Sequence, residues 1–357
     1  MFKLKCDDFL IYDEATGTYS MAADQKVRDE TERNKWKKTG WTILKDWRLY
    51  LMLVPLILVY VLWRYLPMTE LLAAFKDPNS ALEVSDQNWS GLANFDELFF
   101  GAQKDYFWRA FRNTFIIAFY GLLFGFPFPI ILALFFNEVK SNVTRSILQV
   151  CVYLPKFMST VIITALAIVL FRGSTGDTGG TEGIGVVSKF LLWLPHSDAF
   201  ASEVTGAKFG LVFTNRYFRA IYQITGLWEH GGYDSIVYFA AVIAVSPTSY
   251  EAAQIDGAGK MAQMRYVVIP SILSTVVIML IMKIGSLLSV GFEKVYLMSN
   301  TDNYEAADIV STLSNRWNGE GSGSVGIAAE MVNNLIGMIL VIGANSVAKR
   351  AANVSLY

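Results

Sequence analysis

The stretch that decides the fold runs from Ser246 to Pro270 and reads SPTSYEAAQIDGAGKMAQMRYVVIP. It is polar and separates two long apolar segments, so in a membrane protein it must lie outside the bilayer. Ser246 followed by Pro247 is typical of a helix start, with an N-cap and a proline at the first helical position. Gly257 permits a sharp turn because glycine tolerates positive φ. The sequence therefore predicts a helix-turn-helix loop, with a second short helix over 259–268 and with Pro270 opening the next apolar segment.

Part of this stretch, EAAQIDGAGKMAQMRYVVIP at 251–270, resembles the EAA loop of binding-protein-dependent ABC importer permeases, whose pattern is roughly E-A-A, three residues and then G. Three other segments are similar to the LplB-like oligosaccharide branch of that family. They are FGFPFPIILALFFNE at 124–138, YLPKFMS at 153–159 and VGFEKVYLM at 290–298. Four separated matches in the same order make the resemblance specific, and it extends from about residue 49 to residue 349.

The resemblance implies an all-α polytopic membrane protein with six transmembrane helices and a cytoplasmic helix-turn-helix coupling loop, built on a MetI-like permease core. It also implies a multi-pass protein of a bacterial plasma membrane. Basic residues cluster before the first apolar run and again at Lys349 and Arg350, which favours cytoplasmic N- and C-termini by the positive-inside rule.

Composition agrees with a membrane protein. The chain is 53% hydrophobic and 17% charged, whereas soluble domains carry about 25% charged residues. A net charge of −1 argues against nucleic acid as a partner. The two cysteines, Cys6 and Cys151, and the two histidines, His196 and His230, indicate neither a disulfide framework nor a metal site.

Hydropathy divides the chain into tails, spans and loops. The predicted regions are an N-terminal cytoplasmic tail at 1–48, a first transmembrane helix at 49–67, an external loop at 68–112, a permease core at 113–347 with an external loop at 172–215, and a cytoplasmic tail at 348–357. Within the core we expect spans at 113–136, 147–171, 218–245, 272–288 and 326–347. Pro127 and Pro129 should kink the first of these, and the polar WEHGG run at 228–232 should make the 218–245 span weakly helical at its outer half.

The sequence predicts no catalytic activity. DGAGK at 256–260 fails as a phosphate-binding loop, because Gln254 occupies the place of the first glycine and Met261 the place of the Ser or Thr. Glu229 and His230 are sequence neighbours, so on a helix they should point about 100° apart and make a poor acid–base site. No cofactor is expected in this chain. The resemblance implies that partner ATPase subunits bind ATP and magnesium.

The resemblance also implies how the loop works, which is by docking into a cleft on a cytoplasmic ATPase subunit. The predicted ATPase-coupling residues are Glu251, Ala252, Ala253, Asp256, Gly257, Ala258 and Pro270. The implied partners are a second homologous permease, two ATPase subunits, an external solute-binding protein or lipoprotein, membrane lipid and an oligosaccharide. The plainer alternative is a solvated connector, since helices rich in Glu and Ala are common.

Polar and aromatic residues within the spans are candidates for the substrate pathway, because charges there are costly unless they face a cavity or a partner. The candidates are Trp228, Glu229, Tyr233, Tyr238, Lys283, Glu293, Asn333 and Asn334. Aromatic rings could stack on sugars and asparagines could bind hydroxyls. The alternative is structural, since aromatic residues cluster at membrane interfaces and asparagines bridge helices.

Other functions stay open at this stage. The same importer could carry a peptide or an amino acid in place of a sugar. An ion-coupled secondary transporter would show inverted repeats with paired broken helices, which the sequence does not display. A membrane enzyme would need a catalytic motif, and none is present.

Overall fold

The computed structural model describes residues 10–13, 18–21, 47–77, 87–173, 184–193 and 210–352. The chain divides into two compact units, Met1–Glu70 and Leu71–Tyr357. The described residues are almost entirely helical, which confirms the predicted all-α fold class. Most of the predicted N-terminal tail, the glycine-rich part of the 172–215 loop and the last five residues of the C-terminal tail lie outside the described residues.

The first unit contains a β-hairpin and most of one long helical segment. Strand β1 (Leu10–Asp13) pairs with β2 (Thr18–Met21) in antiparallel register, a feature that the sequence did not predict. Helix α1 (Trp47–Tyr60) continues as a π-helical turn over Val61–Tyr65 and a 3-10 helix over Leu66–Phe75. The helical segment therefore extends past the predicted end at residue 67. Pro67 cannot donate a backbone hydrogen bond, and the change to a 3-10 helix at Leu66 lets the helix continue beyond it.

The second unit holds the remaining helices. They are α2 (Ala93–Phe99), α3 (Lys104–Gly125), α4 (Pro127–Glu138), α5 (Asn142–Tyr153), α6 (Thr160–Leu170), α7 (Val186–Trp193), α8 (Phe218–Ile243), α9 (Pro247–Ile255), α10 (Lys260–Gln263), α11 (Ile269–Gly285), α12 (Phe292–Met298), α13 (Tyr304–Ala307), α14 (Val310–Gly319) and α15 (Gly323–Ala352). Short 3-10 turns cover Leu154–Phe157 and Leu211–Phe213, and a π-helical turn covers Met264–Val268. The break between α3 and α4 falls at Pro127, as predicted.

Four helical segments are long and apolar enough to cross a membrane: Leu51–Phe75, Lys104–Glu138, Lys260–Gly285 and Gly323–Arg350. Two bent helix pairs pass the same test, Asn142–Phe157 with Thr160–Leu170, at 98°, and Phe218–Ile243 with Pro247–Ile255, at 69°. The described residues thus contain four candidate spans, or up to six if each bent pair is one span. The six-span topology stays a prediction.

The predicted span at 147–171 is not one helix. Pro155 lies in the 3-10 turn that ends α5, and the Ser159 hydroxyl accepts a hydrogen bond from the Val161 amide to start α6. A proline that removes a donor and a serine that caps a new helix together explain the 98° bend.

Helix α8 is helical throughout, including the WEHGG run, so the expectation of a weakly helical half was wrong. Its two adjacent glycines lie where neighbours approach closely. A β-carbon on Gly231 would meet the Phe128 ring, and one on Gly232 would meet the Val152 carbonyl oxygen. The glycines therefore serve close packing of α8 against α4 and α5, which offsets their low helix propensity.

The predicted external loops contain packed structure. Ile184, Leu211 and Val212 from the 172–215 region are buried in a cluster with Phe218 and Val295. In the 68–112 region, the buried Asn94 amide on α2 donates to the carbonyl oxygens of Ala74 and Lys76, at 2.8 and 2.6 Å. Both regions thus contribute buried groups to the second unit.

Buried polar contacts around Asp308 hold α3 against the chain between α13 and α14. Asp308 is fully buried and accepts hydrogen bonds from Arg316 at 2.6 Å and Thr312 at 2.9 Å. Burial alone would lower the pKa of Arg316, but the hydrogen bond and charge of Asp308 outweigh it and raise that pKa above its ordinary value. Asn113 on α3 donates to the carbonyl oxygens of Glu305 and Asp308. These bonds fix the chain between α13 and α14 against α3.

Candidate functional site

The 246–270 loop begins with the predicted helix and turn. Ser246 is the N-cap of α9, although its hydroxyl bonds to that of Thr248 at 2.7 Å and not to a backbone amide. Gly257 has φ +75°, and its amide donates to the Gln254 carbonyl while the Ala258 amide donates to Ala253. This pair of bonds is a Schellman motif, which ends the helix and requires the left-handed conformation that glycine favours.

The second half of the loop differs from the prediction, because it is continuous with the next span. Helix α10 passes through the π-helical turn at Met264–Val268 into α11, which makes one helical segment over Lys260–Gly285. Pro270 lies in the first turn of α11 and does not open a separate helix. Pro270 has no backbone N–H to donate. The π turn just before it changes the hydrogen-bond pattern, so the helix continues through the proline.

The base of the loop packs on three helices. Val242, Val268 and Ile272 are buried with Leu134, and the half-buried Tyr250 and Met264 of the loop pack against this cluster. The Lys260 ammonium also forms a 3.1 Å ion pair with Glu138 at the end of α4. These contacts tie the loop to α4, α8 and α11, so the loop and the adjacent ends of these helices pack as one body.

The 246–270 loop carries exposed apolar and exposed acidic side chains. Ile255 is 86% exposed, Met261 75% and Tyr266 71%. Of the predicted coupling residues, Glu251, Ala252, Asp256, Gly257 and Pro270 are exposed, and Ala253 and Ala258 are half-buried. Large exposed apolar side chains in a polar segment are typical of a protein–protein contact. The three apolar residues were missed because the sequence argument followed the Glu-Ala pattern.

Two cavities lie beside α8, between the α3–α4 break and α11. The first, of about 240 Å³, is lined by residues of α3, α8, α11 and the chain up to Lys294. The second, of about 230 Å³, is lined by residues that include Phe126, Tyr238 and Met282. Both cavities share four lining residues, Gly125, Asp234, Lys283 and Ser286. The two cavities therefore adjoin at the Asp234–Lys283 pair. We call the two cavities together the groove.

The structure brings some of the predicted pathway residues to this groove and places others elsewhere. Lys283 lines both cavities and Tyr238 the second. Trp228, Tyr233, Glu293 and Asn334 are exposed, whereas Asn333 is buried and its amide donates to the Leu288 carbonyl at 3.3 Å. Asp234 and His230 also line the first cavity. Asp234 was missed, although a carboxylate within a span is itself a signal of a functional position.

Glu229 does not line the groove but is part of a buried ion pair. Its carboxylate lies 3.1 Å from the Lys294 ammonium, and the two side chains are 4% and 6% exposed. The Thr160 hydroxyl donates to the same carboxylate at 2.9 Å. Lys294 also lies 5.3 Å from the centre of the Tyr222 ring, within cation–π range. These contacts join α6, α8 and α12 through one buried ion pair whose carboxylate also accepts the Thr160 hydrogen bond.

His230 extends this network, so the expectation that it diverges from Glu229 was wrong. The Lys156 ammonium lies 2.7 Å from His230 Nδ1, and His230 Nε2 lies 3.5 Å from the Glu229 carboxylate. An ammonium group can only donate, so Nδ1 accepts and Nε2 carries the ring proton. Side-chain length, which the angular argument ignored, lets adjacent residues reach each other.

Several apolar helices long enough to cross a membrane, a groove that contains a charge pair and a helical loop between two of these helices are the features of a polytopic membrane transport protein. The family described as "binding-protein-dependent transport system inner membrane component" matches residues 125–293. Protein LplB of Bacillus subtilis is 34% identical over 93% of this chain and 98% of its own length. The polygalacturonan/rhamnogalacturonan transport system permease protein YteP of the same organism is 32% identical over 91% and 95%.

A solved structure is also similar. It is that of a bacterial ABC transporter involved in the import of the acidic polysaccharide alginate, with 34% sequence identity and a TM-score of 0.75 over 88% of this chain and 99% of that one. The chain therefore belongs to the family of inner membrane components of binding-protein-dependent transport systems. Proteins of this family are membrane permease subunits and not the ATPases.

Proposed function

We propose that this chain is one permease subunit of an ATP-driven importer for oligosaccharides. An external solute-binding protein delivers the sugar, and the groove between α3, α8 and α11 forms this subunit's half of the pathway. The dependence on a binding protein follows from the family, and the sugar class from relatives named for polygalacturonan and alginate. A second, homologous permease would supply the other half of the pathway.

The observation that carries the coupling proposal is the exposed face of the 246–270 loop. Ile255, Met261 and Tyr266 are exposed in the same loop as the exposed Glu251 and Asp256 carboxylates. An apolar centre with acidic neighbours suits a cleft that is apolar inside and basic at its edge. We assign this cleft to a cytoplasmic ATPase subunit that binds ATP and magnesium, which places the loop and both termini in the cytoplasm.

The packed base of the loop supplies the mechanical link. Tyr250 and Met264 pack on the cluster that joins α4, α8 and α11, and the same three helices line the second cavity. A rigid movement of the loop therefore moves the walls of the groove. Closure of the ATPase subunits on ATP would change the width of the groove in this way.

The test is assembly and uptake by the complete complex. Ile255→Ser with Met261→Ser should leave the permease in the membrane but reduce co-purification of the ATPase subunits and ATP-driven sugar uptake together. Lys104→Ser, an exposed change at the start of α3, should leave both unchanged. Normal ATPase recovery with the double variant would exclude the docking role. ATP-driven uptake of peptides or amino acids in preference to sugars would keep the importer and change its cargo.

A further inference from the structure

We propose that Arg109, Arg112 and Arg219 form a binding site for the phosphate of an anionic phospholipid, whose acyl chains lie along an exposed apolar stripe of α3. We call these three residues the arginine cluster. Arg109 and Arg112 lie on α3, and Arg219 lies in the first turn of α8. The other end of α8 leads into the 246–270 loop, so the cluster lies at the end of α8 that is remote from the loop. Under the proposed topology this end faces the outer leaflet, and only this choice of leaflet rests on the proposed function.

Short contacts bring the three guanidinium groups to one junction of helices. Arg219 Nη2 donates to the side-chain oxygen of Asn113 at 2.9 Å. Arg112, the sequence neighbour of Asn113, acts electrostatically on Arg219. Arg109 lies about one helical turn before Arg112 on α3, and its Nη2 is 3.8 Å from the Asp308 carboxylate. The Asn113 amide also donates to the Asp308 carbonyl oxygen, at 3.1 Å. Like charges from α3 and α8 therefore lie close together.

The two carboxylates linked to the cluster do not neutralise it. Asp308 is fully buried, and its short ion pair, at 2.6 Å, is with Arg316 and not with Arg109. The other carboxylate, that of Glu305, is exposed. Arg112 is exposed and forms no ion pair with any residue that the structure describes. The cluster and Arg316 together carry more positive charge than the two carboxylates balance, which favours an anionic ligand.

The guanidinium groups have hydrogen-bonding capacity to spare. Each carries five N–H donors in a planar fork that matches the oxygens of a phosphate. The Nε atoms of Arg109 and Arg219 are buried and have no hydrogen-bond partner within the described ranges. Arginine binds phosphate through two parallel hydrogen bonds, which a single carboxylate at 3.8 Å does not supply. The cluster is therefore unsaturated with respect to an anion of this geometry.

The depth of the cluster along its span matches the headgroup layer. The segment Lys104–Glu138 has 35 residues, which is about 52 Å at about 1.5 Å per residue, whereas the hydrocarbon core is about 30 Å thick. A centred segment thus leaves about 11 Å, or roughly seven residues, outside the hydrocarbon at each end. Arg109 falls within these residues. Arg112 lies just inside them, at a depth from which a long basic side chain reaches the headgroups.

An exposed apolar stripe continues along α3 from Arg112. Phe115, Phe119 and Leu123 follow it at spacings of three or four residues, and all three are exposed. The rings of Phe115 and Phe119 stack with their centres 6.5 Å apart. A cationic cluster at the end of an apolar stripe on a candidate span complements both parts of a phospholipid. An acidic side chain of a partner protein would use the cluster alone, so the surface favours the lipid.

The experiment titrates lipids into the purified complex of both permeases and the ATPase subunits and counts bound lipids by native mass spectrometry. The probes are dioleoyl phosphatidylglycerol, dioleoyl phosphatidylcholine and inorganic phosphate. We expect phosphatidylglycerol to bind at least about tenfold more tightly than phosphatidylcholine, the scale of one charge-assisted contact. Inorganic phosphate at the same concentration should not displace the lipid, because it lacks the apolar chains.

The variants locate the bound lipid. Arg112→Gln with Arg219→Gln should weaken binding of phosphatidylglycerol at least about tenfold, and Phe119→Ser should weaken phosphatidylglycerol and phosphatidylcholine alike. Arg350→Gln, which removes an exposed arginine near the end of α15, is the matched control and should bind like the wild type. Recovery of the ATPase subunits at the wild-type level checks that each variant is folded.

Three results would overturn the inference: unchanged phosphatidylglycerol binding by the folded double variant, equal affinity of the wild type for the two lipids, or displacement of the lipid by inorganic phosphate, which would indicate a site for free phosphate. A double variant that keeps the lipid but loses the solute-binding protein would make the cluster a protein docking site instead. ATP-driven sugar uptake tests the importer separately, so loss of the lipid site with uptake retained would leave the proposed function standing.

Discussion

Replacing Glu229 by alanine should destabilise the chain by about 3–5 kcal/mol, the cost of leaving a buried charge without its partner. The Lys294 ammonium is 6% exposed and lies 3.1 Å from the carboxylate, so the change would leave a buried charge without its partner. Thr160 would lose its acceptor as well, which adds about 1 kcal/mol. The ring of Tyr222, 5.3 Å away, would still stabilise the ammonium.

A double-mutant cycle isolates the charge pair from side-chain size. Glu229→Gln and Lys294→Met each keep most of the volume, and each alone should cost about 3–5 kcal/mol because one charge stays buried and unpaired. The double variant removes both charges and should cost no more than either single change. The coupling energy should therefore be at least about 3 kcal/mol, at or above the upper end for contacting residues.

The assay is unfolding of the purified chain in mixed micelles, followed by tryptophan fluorescence under increasing denaturing detergent. The control is Asp234→Asn, in the half-exposed pair, which should change stability by less than about 1 kcal/mol. The reasoning would be refuted by a Glu229→Ala variant within about 0.5 kcal/mol of wild type, or by two single changes that simply add in the double variant.

Three other changes have defined outcomes. Gly232→Ala should cost about 1–3 kcal/mol, because the β-carbon meets the backbone of α5, whereas Gly121→Ala, with its nearest neighbour 3.7 Å away, should be tolerated in the same unfolding assay. Asn113→Ala should cost about 1–3 kcal/mol by leaving buried carbonyl oxygens unpaired, and hydrogen exchange should then rise over 304–312. At Gly257 an added β-carbon would have open space, but the backbone conformation at φ +75° should make Gly257→Ala cost about 1–2 kcal/mol. We expect normal expression with reduced recovery of the ATPase subunits. Unchanged recovery would contradict this expectation.

Local signals predicted the fold class and the start of the 246–270 loop. Helix α9 and the turn at Gly257 follow from residues that are adjacent in sequence, and the break at Pro127 follows from the chemistry of proline alone. The continuous helix through Pro270 could not be predicted in this way. It depends on a π turn that begins six residues earlier, and propensity arguments treat a proline as a boundary.

The groove and its charges were predictable only in part. Lys283 and Tyr238 were named because charged and aromatic residues in spans draw attention, and the same rule should have found Asp234, one helical turn after His230. The pairing of Glu229 with Lys294 joins residues far apart in sequence, so only the packed fold reveals that this carboxylate is satisfied. The short apolar runs around Ile184 and Leu211 were hidden in a polar, glycine-rich segment.

The helical segment over Lys260–Gly285 has a consequence for leverage. Its 26 residues form a rod about 39 Å long at about 1.5 Å per residue. Lys260 stands at one end beside the loop and Lys283 at the other beside the groove. For a rod of this length, a rigid tilt of about 5° at the loop end displaces the far end by about 3 Å. That displacement is comparable with the 4.0 Å separation between Lys283 and Asp234. A small rotation applied at the loop is therefore enough to part or join these two half-exposed charges.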